Sequence, residues 1–192
     1  MRAINHFVVR IPQKFKNEVS FNGGKLQLVN KFNEFEHRVN QGLIVAAPKD
    51  FHEAPYIGQI LYFHHHVVME QMYDIGEDLF LVSYDPEGGY GNHSIAVEDE
   101  AGRIHMLGDW CFVAPPDEPE EETTDSGIVL GIKEEPKLEG ELLALPKDAE
   151  WIGAKSGDVV GYRPNSEYEM ELQDGTKVYR MRITELVYAK EA

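Results

Sequence analysis

The chain has 192 residues, 42% of them hydrophobic and 27% charged, enough to pack one large domain or two of about a hundred residues each. Its formal charge of −16, from 18 basic against 34 acidic side chains, argues against the basic face by which a protein neutralises a nucleic-acid backbone. No apolar run approaches the roughly 20 residues that span a bilayer, and "MRAINHFVVRIP" lacks a signal peptide's apolar stretch and cleavage site. The expectations are therefore no nucleic acid, no membrane and a cytoplasmic location.

In chain order, strand signals dominate: short runs rich in β-branched and aromatic residues, separated by turn formers. "HFVVRI" is the first. "NKFNEFEHRV" then admits one or two helical turns, with Phe32, Phe35 and Val39 on one side, or none. "GLIVAA" and "GQILYFHHHVV" follow as strands. On such a strand His64 and His66 share a face and His65 points the other way. Two imidazoles fall short of a metal's ligand set, so no metal site is expected and the three read as surface or interface histidines. "DLFLVSY" is a strand, and "DPEGGYGNHS" reads as a long hairpin tip before "HSIAVE". It is no phosphate cradle, because no Lys-Ser/Thr ending and no helix start follow it.

"WCFVA" carries the one cysteine, Cys111, which can form no disulfide within the chain and reads as a buried strand thiol. From Pro115 to Ser126 the chain holds three prolines and six acids, a composition that repels itself and buries nothing, and so is expected to stay mobile. Directly after it stand Gly127, Ile128, Val129 and Leu130, and "KEEP" at Lys133–Pro136 follows. Residue type alone allows two readings of the aliphatic triplet: a buried core strand, or an apolar hook between solvated arms. "GELLAL", "GDVVGY" and "KVYRMRI" complete the strands. "QDGT", between "YEMEL" and "KVYRM", signals a hairpin whose Asp-Gly accepts a type I′ turn. The predicted fold class is all-β.

The two halves repeat one order of motifs. "FVVRIP", "NGGKLQL", "QGLIVAAP" and "YIGQILYF" are followed, about a hundred residues on, by "CFVAPP", "DSGIVLG", "EGELLALP" and "KSGDVVGY". The expected division is 1–109 and 110–192, with an insertion near 69–91 in the first copy and a mobile loop at 115–136 in the second. "GRIHMLGDWCFVAP" closes the first copy and also opens the second. Either one strand serves both copies, or one copy lacks its last strand and leaves an edge for a neighbour.

"LGDWCFVAPP", "DSGIVLG", "GELLALP", "KSGDVVGY" and "YRMRITELVYAKEA", in that order, make the second half resemble the GroES-like co-chaperonins. The first half resembles a divergent copy, so the whole is similar to a tandem member. The resemblance implies a partly open β-barrel in each copy, a ring oligomer that is usually sevenfold, and a GroEL-type chaperonin as partner. It implies that Gly127, Ile128, Val129 and Leu130 dock on that partner, and that Leu26 and Leu28, with Gln27 between them, form a weaker second loop. Only "KDAEWIGA" stands where the family commonly has a roof hairpin. No cofactor and no enzymatic activity are expected. Ser83 in "LVSYDP" lies in no nucleophile elbow, and no G-x-G-x-x-G follows a strand as a dinucleotide-binding domain requires. The rival expectation is a structural β-barrel module of a larger assembly, with the acidic stretch as a linker.

Overall fold

The computed structural model describes residues 3–12, 18–21, 24–27, 38–49, 51, 56–89, 91–116, 121–123, 129–132, 137–147 and 149–191. The chain is mostly β and divides into two compact units, Met1–Gly108 and Asp109–Ala192. The expected helical turns of "NKFNEFEHRV" fall almost wholly outside the described residues; of the three named positions only Val39 is described, partly buried against the first core.

In the first unit one antiparallel sheet runs from β1 (His6–Arg10) and β4 (Gln41–Ala46) through β5 (Ile60–Phe63), β6 (Asp74–Gly76), β7 (Leu79–Ser83), β8 (Ser94–Glu98) and β9 (Ile104–Met106). Its spatial order is β6-β7-β1-β4-β5-β8-β9. Alternation places Phe7, Val9 and Ile11 of the first strand and its exit on one face, where they pack with Ile44, Leu61 and Phe80. Val8, Ala46 and Leu79 pack on the other.

The second unit has a six-stranded sheet of β10 (Trp110–Val113), β13 (Glu139–Ala144), β14 (Val159–Tyr162), β15 (Tyr168–Glu171), β16 (Lys177–Arg182) and β17 (Leu186–Lys190). The order is β15-β16-β10-β13-β14-β17. Cys111, Val113, Leu142, Val160 and Met181 form its core. On the opposite face the Arg180 guanidinium lies 4.0 Å from the Tyr168 ring centre and 4.7 Å from that of Trp110, with Arg182 3.8 Å from Trp110. These cation–π contacts tie β15 and β16 to β10.

The strand order of the first unit recurs in the second, with β9 as the one addition. The irregularities recur as well. Register slips between Val8 and Val9 opposite Ala46 and Ile44, and between Phe112 and Val113 opposite Ala144 and Leu142. It slips again between Tyr62 and Phe63, and between Gly161 and Tyr162. The turn into β5 uses Gly58 at φ +89°, whose N–H donates to Ile44 O; the turn into β14 uses Gly157 at φ +97°, donating to Leu142 O. A left-handed backbone at these points is why the glycines of "YIGQ" and "KSGD" stand where they do.

The second sheet is not flat. Between β16 and β17 stand only Ile183–Glu185 in a 3-10 turn, so Arg182 and Leu186 are at most about 14 Å apart. In a flat sheet the four strand spacings separating them would need about 19 Å. The sheet therefore curls until its ends approach. In the first unit β7 meets the start of β8 directly: the His93 N–H donates to Ser83 O at 3.2 Å, and the Ser83 hydroxyl donates to Gly91 O.

Several expectations need correction. The strand "GQILYFHHHVV" ends at Phe63; His64–His65 turn, and His66–Met69 form one helical turn, buried through Val67 and Val68. "DPEGGYG" is not a hairpin tip, because β7 and β8 stand apart in the sheet order. The stretch 69–91 includes β6 and β7, which hold the places of β15 and β16. The additions peculiar to the first unit are instead the helical turn, the long link 84–93 and β9. Among the described residues Trp110–Val113 pairs with β13 and β16 and serves one sheet. At "QDGT" the Leu172 N–H donates to Thr176 O and that of Gly175, at φ +86°, to Leu172 O. This is a three-residue loop with glycine in the left-handed position; Asp174 is not among the positive-φ residues that a type I′ turn would require.

Candidate partner-binding hairpins and the histidine turn

In each unit the chain leaves the sheet between two strands that are themselves paired and forms a separate hairpin. Between β1 and β4 stand β2 (Glu18–Phe21) and β3 (Gly24–Gln27), in register from Glu18↔Gln27 to Phe21↔Gly24. Between β10 and β13 stand β11 (Glu121–Thr123) and β12 (Val129–Ile132), paired from Glu121↔Ile132 to Thr123↔Val129. Among the described residues each hairpin is a two-stranded sheet of its own.

Of the residues that the sequence marks for docking, Val129 and Leu130 open β12 and Leu26 lies in β3, whereas Gly127, Ile128 and Leu28 lie outside the described residues. The acidic stretch 115–126 is not wholly an unpaired arm, because Glu121–Thr123 is backbone-paired with β12. An aliphatic run in extended form offers hydrogen-bonding groups along both edges, and the acidic segment pairs with one of them. The first hairpin was not among the expected elements, although the Asn22-Gly23 that stands between Phe21 and Gly24 is a strong short hairpin signal.

The second arrangement is the turn after β5. His65 adopts right-handed helical dihedrals (φ −57°, ψ −23°), so successive side chains diverge by about 100° rather than alternating across a strand. The metal-binding atoms of His64, His65 and His66 consequently lie within 4.8 Å of one another. Their ring centres are 4.2 to 4.8 Å apart. His65 is buried, His64 half-buried and His66 exposed. The His66 N–H donates to His64 Nδ1 at 3.3 Å. His93 stands beside them, its carbonyl accepting the His64 N–H at 2.9 Å and its ring centre 6.4 Å from that of His64. Burial pushes the His93 imidazole below its ordinary value, which holds it neutral.

Two other titratable groups have structural surroundings. Asp99 caps the turn into β9, accepting N–H bonds from Ala101 and Arg103 and pairing with His105 at 3.1 Å. Cys111 is fully buried, and burial pushes its thiol up to about 12, which makes it inert rather than nucleophilic. Among the described residues no helix is long and apolar enough to cross a membrane. No protein-family model matches the chain, and no curated protein matches it.

Proposed function

We propose that the chain is a co-chaperonin, with two GroES-like barrel copies in tandem, which assembles into a sevenfold ring and caps an ATP-driven GroEL-type chaperonin. Folding of enclosed proteins proceeds in the closed chamber. The observation that carries this reading is the repeated excursion: at the same place in both sheets a separate hairpin interrupts two paired strands, and β12 begins inside the Gly-led aliphatic run Gly127–Leu130. Ile128, Val129 and Leu130 fill an apolar groove on the partner, and Gly127 leaves the backbone free to approach it. Leu26 and Leu28 form the weaker contact of the first copy. The protein needs no cofactor and performs no catalysis; nucleotide acts through the partner.

The energies suit a repeated, releasable contact. Burying three aliphatic side chains contributes roughly 5–8 kcal/mol, and ordering the segment costs about 1–2 kcal/mol for each residue fixed. One loop binds poorly. Several on one ring bind well, because each later docking is intramolecular. A nucleotide cycle that weakens every site slightly then releases the whole cap.

The pairing of β11 with β12 favours a second reading, a structural β-barrel module that holds the triplet in its own assembly. The test is to mix the protein with a GroEL-type chaperonin and nucleotide and to measure complex mass, using wild type and Ile128→Ser/Val129→Ser/Leu130→Ser. A nucleotide-dependent complex lost in the variant, with the variant's own oligomer intact, supports the co-chaperonin. Unfolding of the variant, together with resistance of 120–130 to proteolysis in the free wild type, makes the triplet a structural strand and overturns it.

A further inference from the structure

We infer that His64, His65 and His66, joined by His93, form a binding site for one borderline divalent transition ion, with Zn2+ as the representative. The three consecutive imidazoles converge because a helical turn replaces the strand. Their ligand atoms lie within 4.8 Å of one another, whereas nitrogens bound to Zn2+ at about 2.0–2.1 Å in a tetrahedral site are roughly 3.4 Å apart. Binding an ion would therefore draw the ligand atoms closer together than they stand in the free protein.

His93 supplies the independent observation. Its Nδ1 is buried and accepts or donates no hydrogen bond, a costly state for a polar atom. Its backbone is bonded to that of His64 at 2.9 Å, which fixes it next to the cluster. A cation coordinated there would give that nitrogen a partner. An all-nitrogen set selects Zn2+, Cu2+ or Ni2+ and disfavours Mg2+ and Ca2+, which prefer oxygen.

The test uses the full chain, stripped with a chelator and titrated with Zn2+ by calorimetry. One ion per chain is expected, with binding lost in His64→Gln/His66→Gln and weakened about tenfold or more in His93→Gln. Any run of three histidines holds ions loosely, so an adventitious ion only is a named outcome. It is identified by equal affinity in wild type and His93→Gln, or by a peptide of residues 61–71 binding as tightly as the chain, and either overturns the site. Should His93→Gln fail to fold, long-range proton–nitrogen NMR of the wild-type imidazoles decides. Zn2+-induced shifts at His93 together with His64, His65 and His66 support the site; shifts confined to the three consecutive rings overturn it.

Discussion

Gly42 and Gly140 occupy the same place in the two sheets, paired with Leu61 and Val160 respectively, and replacement by alanine should affect them very differently. A Cβ on Gly140 would stand 2.2 Å from Ala114 O and 2.7 Å from Val113 Cγ1. To restore ordinary contact the Ala114 carbonyl must retreat by about 1 Å, although the Ala114 N–H is bonded to Glu141 O at 2.8 Å. Overpacking of this kind costs about 1–3 kcal/mol, and a strained or broken backbone bond adds about 1 kcal/mol. The lower entropy of the unfolded alanine chain returns about 0.4–1 kcal/mol. Gly140→Ala should therefore destabilise the second unit by about 2–3 kcal/mol. On Gly42 the nearest atoms would be Ile11 Cγ1 at 3.0 Å and the backbone Arg10 O at 3.1 Å, which need give by only a few tenths of an ångström, so Gly42→Ala should stay within about 1 kcal/mol of wild type. Both tryptophans, Trp110 and Trp151, lie in the second unit, so urea unfolding followed by tryptophan fluorescence reports on that unit. Gly140→Ala should lower its midpoint by about 1 M, given slopes of about 1–3 kcal/mol/M. Equal stability of Gly140→Ala and wild type, or a larger loss for Gly42→Ala, would refute the reasoning.

Two further outcomes follow from local geometry. Glu77 and Asp78 join β6 to β7 at φ +55° and +60°, where side chains other than glycine cost roughly 1–2 kcal/mol each. Glu77→Asn/Asp78→Gly should raise the first unit's stability by about 1–2 kcal/mol in circular-dichroism melts, and a loss would mean that those side chains hold the turn. The His105 contact and the N–H bonds from Arg103 and Ala101 hold the Asp99 carboxyl well below the usual carboxylate range. Because the folded value is depressed, its contribution to stability is present above the unfolded value of about 3.9 and disappears as pH falls through the folded one. Carbon-13 NMR should find Asp99 still ionised at pH 3; titration near 4 would remove the argument.

The main strands were legible because alternation survives wherever one face meets a core: Gly42 and Ile44 are buried while Leu43 between them is exposed. The repeat was legible at the turns, since Gly58 and Gly157 occupy a backbone conformation that other residues resist. It was not legible across β7 and β16, where Leu81 and Arg180 hold matching places opposite Val8 and Phe112 with unrelated side chains. The histidine turn was misread because Val67 and Val68 are β-branched and resemble a strand, although their burial is against the core beside a helical turn. Tertiary packing outweighs that propensity. For the docking residues the sequence supplied the candidates, while the hairpin pairing and the shared insertion point needed coordinates.

That shared insertion point bears on how a binding element evolves and how it is tested. The strands flanking each hairpin, β1 with β4 and β10 with β13, are hydrogen-bonded to each other. The excursion between them therefore returns to where it left, whatever its length. Loop-closure cost grows only with the logarithm of length, about 0.6 kcal/mol for each doubling. Side chains on the excursion can change with little effect on the sheet's own pairing. On the proposed reading, an apolar triplet placed there would answer to its partner rather than to the core, and Leu26-Gln27-Leu28 in the first unit would be free to vary. On the same reading, serine at Ile128, Val129 and Leu130 should leave the Trp110 and Trp151 unfolding transition unchanged while abolishing the nucleotide-dependent complex with the chaperonin. Core residues such as Leu142 have no such independence, and loss of stability and of binding there would coincide.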